Sequence, residues 1–81
     1  MSEKFIKKNI RLMHDFDGYT SRHLDVLMKI PNKGYVVMTD GKDADFNRIS
    51  RSLVARIRNK KRIVEARKVG RSWRLYPYEK I

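Results

Sequence analysis

Cysteine is absent from the sequence, which excludes disulfide bonds and thiolate metal sites and is typical of a reducing compartment. No apolar run approaches the roughly 18–20 residues that span a bilayer, so we expect no membrane segment. The N-terminal residues carry charge but no continuous apolar stretch, so we expect no signal peptide. These absences favour a cytoplasmic protein.

Motifs for catalysis or cofactor binding are also scarce. The two histidines, His14 and His23, lack metal-ligand spacing, and the sequence has no glycine-rich phosphate loop and no nucleophile elbow. The acidic turn from Asp40 to Asp45 fails as a calcium loop, because Arg51 stands where a bidentate glutamate is needed. We therefore expect no enzyme activity, no metal and no cofactor.

What the chain has is positive charge, and it is unevenly placed. The net charge is +11, and residues 42–81 carry 13 Lys and Arg against 4 Asp and Glu, whereas residues 1–41 carry 7 against 5. Such asymmetry is typical of a protein that meets a polyanion. An anionic membrane surface or an acidic protein partner remains an alternative, but nucleic acid is the preferred partner.

The 81 residues are enough for one domain with a modest core. Apolar periodicity predicts an N-terminal helix within residues 1–18, capped by Ser2 and ended at Gly18, and a second helix from about Thr20 to Ile30. A short strand is predicted at Tyr35–Met38. A tail would occupy residues 77–81.

The most informative stretch is residues 46–76. A third helix is predicted over 44–61, capped by Asp43 or Asp40. At about 100° per residue, an apolar stripe faces the core and leaves an arginine face outward; the stripe consists of Phe46, Ile49, Leu53 and Ile57. Residues 63–69 and 72–76 then alternate as the two strands of a hairpin about Gly70, with Trp73 and Leu75 packed inward.

This order of elements, with ISRSLVARI followed by NKKRIV and the hairpin, resembles the winged helix-turn-helix domains over about residues 20–76. The resemblance implies an α+β fold of about three helices and a short three-stranded antiparallel sheet, with the hairpin as the wing. It also implies a double-stranded DNA-binding protein, with helix 44–61 in the major groove and hairpin 63–76 on the backbone or minor groove. A small transcriptional regulator of prokaryotic or phage type, associated with the nucleoid, would suit this interpretation.

Candidate contacts follow from what each side chain can donate. Asn47, Arg48 and Arg51 are predicted to read base edges, because Asn can pair with adenine and Arg with guanine. The other candidates are predicted to hold the phosphate backbone or line the wing; they are Ser50, Ser52, Arg58, Lys60, Lys61, Arg62, Arg67, Lys68, Arg71 and Arg74.

The sequence leaves two rival hypotheses open, together with the question of whether the protein forms a homodimer. Tyr76 and Tyr78, interleaved with arginines, could stack unpaired bases, as in RNA or single-strand binders. The same basic surface could instead dock an acidic protein, since fold alone does not assign function. The N-terminal helix carries apolar residues on more than one side, which could support a homodimer, and a dimer would predict a palindromic site.

Overall fold

The computed structural model describes residues 2–31, 34–56 and 62–77. These form a small α+β domain, which confirms the predicted α+β class but not the winged-helix topology. Its elements in chain order are α1 (Glu3–Arg22), α2 (Leu24–Leu27), β1 (Tyr35–Asp40), α3 (Ala44–Val54), β2 (Ile63–Val69) and β3 (Ser72–Pro77).

The three strands form one mixed sheet in the order β1-β2-β3. β1 and β2 run parallel, and β2 and β3 run antiparallel. The prediction of an antiparallel sheet is therefore wrong in its first pair. Parallel neighbours need a crossover of a dozen or more residues, and the segment that contains α3 supplies it. The predicted C-terminal hairpin is confirmed, with Gly70 at a φ of 63° in its turn, where a residue without Cβ is favoured.

α1 is longer than the sequence predicts. The hydroxyl of Ser2 caps it by accepting from the Phe5 amide, as expected. However, Gly18 lies inside the helix, which continues to Arg22. The residues predicted to begin a second helix therefore form the last turn of the first, because Thr20 is buried at 5% exposure and its burial holds that turn on the core. Only Leu24–Leu27 forms the separate α2.

α3 begins as predicted and ends earlier. The Asp43 carboxylate accepts from the Phe46 amide as the N-cap, which confirms its predicted role. The helix ends at Val54, and Ala55 and Arg56 form a turn. The rest of the predicted helix, residues 57–61, lies outside the described residues.

The main core lies between α1 and one face of the sheet. Phe16 of α1 meets Trp73 of β3 edge to face, with ring centroids 5.0 Å apart, which confirms Trp73 as a core residue. Phe5 stacks on Phe46 at 4.9 Å and so ties α3 to α1. A smaller cluster of Val37, Val54 and Ile63 packs α3 against the sheet. Aromatic pairs of this geometry contribute about 0.5–1.5 kcal/mol beyond the area they bury.

Two glycines give opposite stability predictions. Gly18→Ala should stabilise the protein by about 0.5–1 kcal/mol, because alanine favours a helix interior and the new Cβ would lie 4.0 Å from the side chain of Arg22.

Gly34→Ala should destabilise the protein by more than about 1 kcal/mol, because its Cβ would lie 2.6 Å from the Arg62 carbonyl oxygen. Denaturant unfolding of both variants measures this. A Gly34→Ala variant as stable as the parent would contradict the crossover geometry.

Candidate nucleic-acid interface

The rotation of α3 about its axis decides which side chains face the sheet. The buried residues are Phe46, Ser50 and Val54, spaced four apart, whereas Leu53 remains 43% exposed. At about 100° per residue, the buried stripe is rotated by roughly 50° from the predicted one. The prediction followed apolar residues alone and therefore placed Leu53 inside. The rotation moves Asn47 and Arg51 from the outward side towards the sheet.

Asn47 joins the start of α3 to the end of β1. Its side-chain nitrogen donates to the Asp40 carbonyl at 2.7 Å, and its side-chain oxygen accepts from the Asp40 amide at 2.7 Å. The amide group thus pairs with the strand backbone as a neighbouring strand would. Asn47, which the sequence predicts to read adenine, therefore bonds the backbone of its own chain.

Glu65 is the centre of the polar network between α3 and the sheet. It lies in the middle strand with 0% exposure. Arg51 donates to it through Nε at 3.0 Å and Nη2 at 3.2 Å, and Arg67 through Nε at 3.1 Å and Nη2 at 2.7 Å. The Thr39 hydroxyl donates at 3.0 Å. The carboxylate therefore links β1, α3 and β2 through charge-assisted hydrogen bonds.

Sequence reasoning missed Glu65, although a signal was present. It is the single acidic residue within the apolar run Ile63-Val64-Glu65-Ala66, and a carboxylate in a buried strand needs cationic partners. Burial alone would raise the pKa of Glu65. The hydrogen bonds from Arg51, Arg67 and Thr39 outweigh burial, so the pKa lies below its ordinary value.

Arg67 and Arg74 lie on the sheet face that α1 does not cover. They are cross-strand partners, two positions along the strands from the pair Glu65 and Tyr76. The Arg67 guanidinium lies 5.1 Å from the centre of the half-buried Tyr76 ring. Arg74 is exposed. Because residues two apart on a strand share a face, these side chains lie on one side with Glu65 beneath them.

Lys68 lies on the opposite face, against α1. Its Nζ is 2.5 Å from the Asp15 carboxylate, which also accepts from the Trp73 indole nitrogen at 2.9 Å. These two hydrogen bonds lower the pKa of Asp15. The structure thus separates Lys68 from the arginines with which the sequence grouped it.

The remaining predicted site residues are dispersed. Arg48 is exposed, with its guanidinium 4.0 Å from the exposed Asp45 carboxylate, a pair that contributes little. Ser50 is buried, and the hydroxyl of Ser52 donates to the Ile49 carbonyl oxygen. Arg62 and Arg71 are exposed. Arg58, Lys60 and Lys61 lie outside the described residues.

A shallow depression of about 440 Å³ lies between the first half of α3 and β2. Among the residues that the structure describes there, no carboxylate lines it, and its charged groups are all arginines. Its lining consists of Gly41, Ala44, Asn47, Arg48, Arg51 and Arg67. We use the name arginine face for Arg48, Arg51, Arg67 and Arg74, which lie in this depression or beside it.

Comparison of the sequence with protein-family models gave a match to DUF5647, a family of unknown function, over residues 4–69. The chain belongs to this family. The DUF5647 match includes every residue that lines the depression and stops at the last residue of β2, so β3 with Arg74 lies beyond it. Neither the curated proteins nor the solved structures gave a match. In the described part of the chain, every helix is too short or too polar to cross a bilayer.

Asn47→Ala should lower the free energy of unfolding by about 1–2 kcal/mol. The substitution removes two short hydrogen bonds and leaves the Asp40 amide and carbonyl without these partners. Arg48→Ala, one position along the same helix and exposed, is the matched control and should change stability by less than about 0.5 kcal/mol. Urea unfolding of both variants compares them. Equal effects would contradict a structural role for Asn47.

Acid should weaken the fold in part through Glu65. Because the folded-state pKa of Glu65 is lowered from 4.5, its stabilising contribution is complete above about that pH and is lost as pH falls through the folded pKa. Asp15, Asp40 and Asp43 have lowered pKa values too, so Glu65→Gln should reduce the loss without abolishing it. Thermal midpoints of both proteins between pH 7 and 3 measure the difference. Parallel curves would exclude a contribution from Glu65.

Proposed function

We propose that the protein binds double-stranded DNA through the arginine face and acts as a small transcriptional regulator. The observation that carries the proposal is the convergence of Arg48, Arg51, Arg67 and Arg74 on the sheet side opposite α1. These four guanidinium groups come from one helix and two strands, and the carboxylate beneath them is fully buried. A cationic surface of this kind suits the regularly spaced phosphates of a duplex.

The roles within the proposed interface follow from the contacts of each arginine. Arg51 and Arg67 are held on Glu65, which directs them to phosphates rather than to base edges. Arg48 is exposed and lines the same depression, so we assign it a phosphate contact as well. Ala44 in the first turn of α3 is small and exposed and allows close approach of a groove wall.

The proposal concerns this surface and does not depend on winged-helix topology. The parallel pairing of β1 and β2 departs from the antiparallel sheet which that resemblance implies. α3 has 11 residues and is about 16 Å long at 1.5 Å per residue. Its diameter with side chains, about 10–12 Å, suits the major groove, which is about 12 Å wide.

A second candidate function has its own observation. Tyr76 is half-buried on the arginine side of the sheet, with the guanidinium of Arg67 over its ring at 5.1 Å. Aromatic and guanidinium groups side by side on a strand can stack unpaired bases. Competition between a duplex, a single strand and a structured RNA at one salt concentration separates the candidates. Preferential capture of the single strand or the RNA, lost in Tyr76→Ala, would replace the duplex proposal.

Replacing arginines on this face should weaken duplex binding and its salt dependence. We expect Arg48→Gln/Arg74→Gln to lose about 10- to 100-fold in affinity near 100 mM salt. The slope of log K against log salt should also fall by about 2, since each phosphate contact contributes about 0.9. Fluorescence anisotropy with a labelled 20-bp duplex measures both quantities.

The matched control removes the same charge from α1. Arg11→Gln/Arg22→Gln changes two exposed cations of α1 that do not line the depression and should alter affinity by less than about threefold. Equal losses in the two double variants would mean that net charge alone drives binding. Absence of duplex binding by the parent protein would reject the proposal.

A further inference from the structure

We propose that the depression between α3 and β2 is a binding site for a single phosphate group, and that Glu65 is the positioning residue that orients its arginines. The inference rests on the proposed function, because it names the point at which a phosphorylated ligand would be held most closely. It differs from a diffuse basic surface in that specific side-chain geometry, as well as charge, is required.

Glu65 holds two arginines by the same edge of the guanidinium group. Arg51 bonds both carboxylate oxygens through Nε and Nη2, and Arg67 bonds Oε2 through the same two nitrogens. A planar group held by one edge has a restricted direction. The arginines are therefore oriented before a ligand arrives, which lowers the entropy lost on binding.

The depression carries an excess of positive charge. Arg48, Arg51 and Arg67 line it, and Glu65 is fully buried beneath two of them, where it cannot meet a ligand directly. The exposed Asp45 carboxylate lies 4.0 Å from the Arg48 guanidinium but does not line the depression. The remaining excess of positive charge suits a phosphate group, whose tetrahedral oxygens accept from several directions.

The lining also allows access. Gly41 and Ala44 form part of it, so a phosphate can approach the backbone there without meeting long side chains. The side chains of Arg51 and Arg67 are 36% and 32% exposed, so both reach the surface at the depression. The same chemistry could be presented by the diester of a duplex backbone or by a terminal monoester.

An NMR titration with sodium phosphate, with sodium chloride at equal ionic strength as the control, tests the site. Binding is followed through the backbone amide and the arginine Nε–Hε resonances. We expect saturable shifts at Gly41, Ala44, Arg51 and Arg67 with phosphate alone. Arg48→Gln should weaken this binding at least fivefold, whereas Arg11→Gln on α1 removes the same charge and should change it less than twofold. Equal effects of the two variants, or shifts spread over all basic residues, would overturn the proposal.

Glu65→Gln separates positioning from electrostatics, because the two accounts predict opposite signs. The substitution makes the site more positive, so charge alone predicts tighter phosphate binding. Positioning predicts binding at least fivefold weaker and loss of slow solvent exchange at the arginine Nε–Hε protons. Thr39→Val, which keeps every charge and removes one donor to Glu65, should weaken binding by about two- to threefold if Glu65→Gln does not fold. Unchanged or tighter binding in a folded variant would reject the role of Glu65.

Duplexes with and without a 5′-phosphate identify the ligand source. Equal affinities assign the site to backbone diesters, and a tenfold preference for the phosphorylated end assigns it to a terminal monoester. Phosphate binding at these residues without duplex binding would reject the proposed function and retain the site. Duplex binding that is insensitive to Arg48→Gln, with no phosphate shifts at Gly41 and Ala44, would reject the site and retain the function.

Discussion

The buried ion pairs of Glu65 constrain the rest of the structure. A fully buried carboxylate is strongly unfavourable unless cationic groups and hydrogen bonds compensate it, so Arg51 and Arg67 must remain on it in the folded state. Arg51 comes from α3, and its attachment sets the rotation of that helix against β1. The rotation in turn places Asn47 on the backbone of Asp40 and Val54 against Val37. A single side chain thus determines how the crossover helix lies on the sheet.

Stability alone does not account for this network. Replacement of a buried ion pair by apolar residues of similar volume is often neutral or stabilising, so a small core gains little from keeping three charges at its edge. What charged residues provide, and apolar ones cannot, is a pair of guanidinium groups held in fixed orientation at the surface. Arg51 and Arg67 are each about one third exposed, so they belong to the interior and to the surface at once. The network is better explained by the two guanidinium groups that it orients at the surface than by its contribution to stability.

Local chemistry was predictable from the sequence, and long-range pairing was not. The Ser2 and Asp43 caps and the hairpin about Gly70 depend on residues a few positions apart. The rotation of α3 depends on Arg51 meeting a carboxylate 14 residues away, and the Thr39 contact spans 26. Helical periodicity counts apolar residues and assigned Arg51 to solvent, so it placed Leu53 inside. For the same reason it assigned base contacts to Asn47 and Arg51, whose side chains bond other residues of the protein.

The fold also sorts the charges that the sequence mixes. On the side of α1, Lys8 pairs with Asp40 and Asp43, and Lys68 pairs with Asp15. Those pairs use lysines and neutralise Asp15, Asp40 and Asp43. On the opposite side, arginines from α3, β2 and β3 surround one carboxylate that solvent does not reach. A polyanion that approaches the arginine face meets more guanidinium groups than exposed carboxylates, since Asp45 beside Arg48 is exposed and Glu65 is buried. Those guanidinium groups can bind phosphate through paired hydrogen bonds.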